Sequence, residues 1–121
     1  MKRDMELVRQ LLIDISKGKC KIEFDPDNNE EDKRLLYHLK ILKQAGFIDF
    51  QLNEYFEGAS LYDVPELTWA GNDYLDSISN DTVWERTKKV LKEKGLELGE
   101  VPFQVLKAYA ASQIKQILGM D

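Results

Sequence analysis

Six side chains between positions 33 and 44 are the ones best suited to gripping a polyanion. Lys33, Arg34, Lys40 and Lys43 offer cations to phosphates, Gln44 an amide that can read a base edge, and Tyr37 an aromatic ring. On a helical wheel Lys33, Tyr37, Lys40 and Gln44 share one side, with Arg34 and Lys43 flanking. The chemistry they would support is contact with duplex DNA. It is weighed against the plainer reading of a solvated helix face.

A second group, Glu54, Tyr55, Phe56, Glu57, Tyr62 and Asp63, mixes carboxylates with aromatic rings, and no Lys or Arg lies between Gln51 and Pro65. Such a surface repels phosphates and suits docking on another protein. The other reactive residue types have ordinary explanations. Asp25, Asp27 and Asn29 imitate the opening of a calcium loop, but its sixth position would be Glu30 instead of Gly and its twelfth Leu36 instead of Glu, so a turn plus helix cap is expected. Cys20 lies between Lys19 and Lys21, which would lower its pKa, yet it has no resolving partner and reads as a packing residue. His38 falls at the edge of an apolar stripe with no Ser, Cys or carboxylate at a motif spacing. The sequence holds no P-loop, dinucleotide turn, zinc-ligand spacing or nucleophile elbow. No catalytic residue, metal ligand or cofactor is expected, and an enzyme is the least supported class.

The elements that must carry these groups follow from periodicity. Met5, Val8, Leu12 and Ile15 predict a helix over 4–17, capped by Asp4 and stopped by Gly18. Residues 20–24 alternate like a short strand. Asn28 or Asn29 then caps a helix to Ala45, with Glu30, Glu31 and Asp32 at its positive end and Gly46 as its stop. A strand over 47–52, a turn at Gly58 and a partner strand within 60–68 make a hairpin. Three more helices are expected: one through Trp69, Tyr74, Leu75 and Ile78; one capped by Asp81 and packed through Val83, Trp84, Val90 and Leu91; and one starting at Pro102, with Phe103, Leu106, Ala110, Ile114, Ile117 and Leu118 on its apolar face.

With 121 residues the chain has room for one domain, which buries about two-thirds of its unfolded surface. Its net charge of −5 is unevenly spread. Residues 1–48 carry +1, residues 49–85 contain nine acids and no Lys or Arg, and residues 86–121 carry +3. A single cysteine excludes an internal disulfide and fits a reducing compartment; a charged N-terminus and apolar runs well short of ~20 residues predict a cytoplasmic protein with no membrane span.

Tyr37 to Ile48, an amphipathic stretch ending Gln44-Ala45-Gly46-Phe47-Ile48, resembles the recognition helix and wing entry of bacterial winged-helix repressors of the ArsR type, and Leu67-Thr68-Trp69-Ala70-Gly71-Asn72-Asp73-Tyr74-Leu75 resembles the strand-to-helix junction that follows the wing. Over nearly the whole chain, Met1-Lys2-Arg3-Asp4-Met5, Tyr37-His38-Leu39-Lys40, Leu67 to Gly71, Asp81-Thr82-Val83-Trp84 and Pro102 to Lys107 resemble an uncharacterised domain-of-unknown-function family of bacteria and prophages. The resemblance implies an α+β, mainly helical single domain: a winged-helix-like part over 1–79 in the order helix-strand-helix-hairpin-helix, and a C-terminal two-helix extension over 80–121. It implies a phage or prophage setting and a DNA-binding regulator, the alternative being an interaction adaptor or phage accessory factor that does not bind DNA. Only residues 25–30 are left for the first helix of a helix-turn-helix, and the wing lacks cations, both departures from DNA-binding relatives. Ala108, Ala111 and Ser112 keep one side of the last helix small, which predicts a homodimer through the C-terminal helices or packing against the chain's own core.

Overall fold

The computed structural model describes residues 1–120. The first helix, α1, spans Met5–Ser16, and Asp4 caps it by accepting from the Glu6 and Leu7 N–H groups. After the two-residue strand β1 (Glu23–Phe24), Asn29 caps α2 (Glu30–Gln44) through the Asp32 N–H. Gly46 then turns the chain with φ +82°, a left-handed conformation that favours glycine.

The expected strand over 47–52 is two strands in two sheets. Ile48–Asp49 (β2) pairs antiparallel with Glu66–Leu67 (β5), while Leu52–Tyr55 (β3) pairs with Gly58–Leu61 (β4). The turn is Phe56–Glu57, and Gly58 opens β4 instead of forming the bend. A Cβ on Gly58 would lie 2.6 Å from the Phe24 carbonyl oxygen, so the close approach of β1 requires glycine there. β1 joins the other edge of β4, giving the antiparallel order β1-β4-β3 with Phe24 opposite Ala59.

Thr68 begins α3 (Trp69–Ile78) by accepting from the Gly71 N–H, and its own hydroxyl donates to the Gly46 carbonyl, tying α3 to the end of α2. Asn80, rather than Asp81, caps α4 (Asp81–Glu93); Asp81 instead pairs with Arg9 of α1. A short 3-10 turn at Leu98–Glu100 leads to α5 (Phe103–Leu118), with Pro102 one residue before the helix.

One core joins all of this. Leu12, Leu39, Ile48, Tyr74, Ile78, Trp84, Leu91 and Leu106 are fully buried within a single cluster. α4 is held to α1 by polar ties as well as packing: the Trp84 indole N–H donates to the Glu6 carboxylate at 3.1 Å, Lys88 reaches the same carboxylate at 2.7 Å, and the Arg9 guanidinium donates to the Asp81 carboxylate at 2.6 Å. The Glu6 hydrogen bond, reinforced by Glu85 against a modest desolvation penalty, pushes the Lys88 pKa up. Three expected packing positions face water: Trp69 is 89% exposed, and Ile117 and Leu118 lie on the open side of α5. Thr87 takes the inner position on α4, its hydroxyl donating to the Val83 carbonyl, while Val90 is half-buried. Among the described residues no helix is long and apolar enough to cross a membrane.

Candidate interaction site

α2 presents its six candidate residues at or near the surface: Lys33, Lys43 and Gln44 are exposed, and Arg34, Tyr37 and Lys40 are half-buried. Leu36, Leu39 and Leu42 anchor the opposite side. Three of the four cations are engaged by carboxylates of the chain itself. Arg34 pairs with Asp4 and, at 3.5 Å, with Glu31; Lys40 lies 3.5 Å from Glu54 of β3; Lys43 lies 3.5 Å from Asp49 of β2 and 4.9 Å above the Phe50 ring. Lys33 has no ion pair among the described residues.

Arg34 belongs to a closed ring of contacts between α1 and α2. The Asp4 N–H donates to His38 Nε2 at 2.9 Å, which makes that nitrogen the acceptor and leaves Nδ1 to donate to the Arg34 carbonyl at 2.8 Å. The Arg34 guanidinium closes the ring on the Asp4 carboxylate. Burial pushes the Asp4 carboxyl up, but the Leu7 and Glu6 N–H groups and the Arg34 charge together outweigh it and hold its pKa below the usual range. His38, expected at the core edge, is fully buried, with both ring nitrogens in use.

The hairpin carries the second group. Alternation puts Tyr55, Ser60 and Tyr62 on its outer face and Glu54, Ala59 and Leu61 on its inner face. The six candidates therefore divide. Tyr55 (52% exposed), Tyr62 (73%) and Phe56 (95%) project outward, with Glu57 beside Phe56 in the turn. Glu54 turns toward Lys40, and Asp63 accepts from the Val64 N–H, shaping the loop after β4. Phe56 is the most exposed large apolar side chain of the described residues.

Asp25, Asn28 and Asn29 do the turn work expected of them: the Asn28 amide donates to the Asp25 carboxylate and Asn29 caps α2. Sequence reading missed Asp32, which is buried, pairs with Lys21 and accepts from the Asp25 N–H. The Lys21 hydrogen bond, then the Asp25 N–H, lower its pKa against the cost of burial. One of three acids in the first turn of a helix gives no signal for this, because dipole and solvent explain all three equally well. The Cys20 thiol is shifted opposite to the expectation from its lysine neighbours: burial and then the Asp14 charge push its pKa up.

Fold and surface together define a mainly helical α+β domain with an ion-paired surface helix and an acidic, aromatic hairpin. The chain belongs to the family described as "Hypothetical protein (DUF2513)", which matches residues 2–97. It is 34% identical over 125 residues to an uncharacterized protein of Haemophilus influenzae, covering 98% of this chain and 99% of the relative. A local stretch of 68 residues is 32% identical to Glutamate--tRNA ligase 2 of Caldicellulosiruptor saccharolyticus, spanning 56% of this chain but 13% of the ligase. No solved structure matches the chain significantly.

Proposed function

We propose that this protein is a winged-helix-like adaptor that binds a basic protein surface through the tip and outer face of its β3–β4 hairpin. The sheet order β1-β4-β3, with α2 leading into the hairpin, supports the winged-helix reading. The observation that carries the adaptor reading is the contrast between the two faces. Arg34, Lys40 and Lys43 are occupied by the chain's own carboxylates, while Tyr55, Phe56 and Tyr62 stand exposed in a stretch without a cation. Exposed rings of this kind supply the buried anchors of interfaces, and the surrounding acids select a basic partner. The test is affinity capture with wild type and Phe56→Ser/Tyr55→Ser. A partner that binds wild type should lose at least ~30-fold in affinity with the double variant, and its binding should weaken with salt. Equal retention by both proteins removes the reading.

A second reading, a DNA-binding regulator of phage or prophage type, is favoured by the surface position of α2 and by Lys33, which has no ion pair among the described residues. It is weakened by the five residues from Asp25 to Asn29, where turns replace the extra helix of a helix-turn-helix, and by the uncharged-to-acidic wing. Duplex retardation at about 50 mM salt that falls steeply with added salt, and whose slope is reduced by Lys33→Ala or Lys40→Ala, would favour this reading over the adaptor.

A further inference from the structure

Where the starts of α1 and α5 meet the end of α2 and the side of α3, a cavity of about 90 Å³ remains. Its walls are apolar, formed by Val8, Ile41, Leu42 and the rings of Phe47 and Phe103. The Phe47 and Tyr74 rings stack at 5.1 Å between centroids, and Phe103 meets both edge-on. Tyr74 and Arg3 are the lining residues that carry polar side-chain groups.

Tyr74 is fully buried, and its hydroxyl is the single buried side-chain polar atom without a hydrogen-bond partner among the described residues. Phenylalanine would make the same ring contacts without stranding an oxygen, so the hydroxyl calls for a partner from outside the chain. Burial pushes the Tyr74 pKa up, and the charge of Arg3, which lines the same cavity, opposes the rise. Arg3 has no ion pair among the described residues. Both groups act as donors, so the ligand must bring acceptors and negative charge. α5 starts at Phe103 with no side-chain cap, which adds a positive helix end at one wall. The negative end of α2 is nearby at Ala45, but its Ile41, Leu42 and Lys43 carbonyls already accept from Ala45, Phe47 and Gly46. A cavity of about 150 Å³ holds benzene, so this smaller one suits a chain of three or four carbons.

We propose that this cavity binds a short free carboxylic acid of about butyrate size, its carboxylate between the Tyr74 hydroxyl and the Arg3 guanidinium and its alkyl chain against the Phe47 and Phe103 rings. The site is separate from the hairpin, and its binding does not depend on the adaptor reading. The test follows the methyl resonances of Val8, Ile41 and Leu42 in the whole protein as sodium butyrate is added, with sodium chloride and neutral butyramide as controls. Saturable shifts are expected with butyrate, with butyramide at least tenfold weaker. Tyr74→Phe keeps the ring stack and should weaken butyrate about tenfold, the scale of a hydrogen bond to a charged group. Arg3→Gln, a change at an exposed side chain that leaves the core intact, should do the same. Shifts that never saturate, equal affinity for butyramide, or unchanged binding in either variant overturn the proposal.

Discussion

Asp4 uses each of its carboxylate oxygens differently: Oδ1 accepts from the Glu6 and Leu7 N–H groups at the start of α1, and Oδ2 pairs with Arg34 on α2. Asp4→Ala removes a helix cap and leaves the half-buried Arg34 without its main partner, and should cost about 1 kcal/mol in urea unfolding, since the cap dominates and the partly exposed pair adds little. The same network gives the protein an acid limit. Asp4 and Asp32 both titrate below their ordinary range when folded, so the stability they contribute is complete above an unfolded carboxylate pKa of about 3.9 and is lost as the pH falls through the lower folded values. Urea midpoints at about pH 7 and pH 3 should therefore lie closer together in Asp32→Asn than in wild type, with the variant less stable at neutral pH. An unchanged gap would show that the Lys21 and Asp25 contacts to Asp32 do not shift its titration. At this scale the sequence was legible where a local rule acts, as with the Asp4 and Asn29 caps. It was silent where the partner is distant: nothing near His38 announces that residue 4 will donate to it.

α3 meets the chain at the start of β2 more closely than any side chain would allow. A Cβ on Gly71 would lie 1.9 Å from the Phe47 carbonyl oxygen, so Gly71→Ala must push the helix away from β2 and β5. We expect a loss of roughly 1–3 kcal/mol, the usual cost of overpacking, and a changed near-ultraviolet signal as the Phe47–Tyr74 stack is disturbed. A variant as stable as wild type would mean that α3 can slide without cost. Helices were the readable elements, because their apolar stripes recur over three or four turns and their caps and terminal glycines mark the ends. The strands were less readable. Residues 47–52 read as one strand, and the break at Phe50–Gln51 that sends β2 and β3 into different sheets comes from the partners they find, β5 and β4. Trp69 misled for a related reason: a helical period says that residues share a face, not that the first turn of the face is covered.

Charge and assembly belong to the molecule as a whole. The acidic stretch 49–85 is distributed over β2–β5, α3 and the start of α4, and part of it is spent on pairs with Lys40, Lys43, Arg9 and Lys107 drawn from other segments. α5 buries Leu106, Ala110 and Gln113 against the chain's own core while Ala108 and Ser112 stay exposed, so packing inward and pairing with a second copy use different sides of one helix. We propose the homodimer on that outer side. Light scattering at high concentration should give about twice the 14.1 kDa chain mass and return to the monomer value in Ala108→Glu/Ser112→Glu; a 14.1 kDa species throughout rules the dimer out. By itself the sequence determined the five helices, the Asp4 and Asn29 caps, the glycine stops, the acidic aromatic hairpin and a mainly helical α+β composition, since each depends on residues close together in the chain; it put the α4 cap one residue late, at Asp81 instead of Asn80. Only the tertiary structure decided that Arg34, Lys40 and Lys43 of α2 are answered by Asp4, Glu54 and Asp49, that Glu54 faces Lys40 while Tyr55 lies on the other side of the hairpin, and that Tyr74, its hydroxyl unpaired, lines a cavity with Arg3. Those facts depend on which segments meet, and the free energy that brings them together is apolar burial, which does not specify from local sequence which polar groups will face one another.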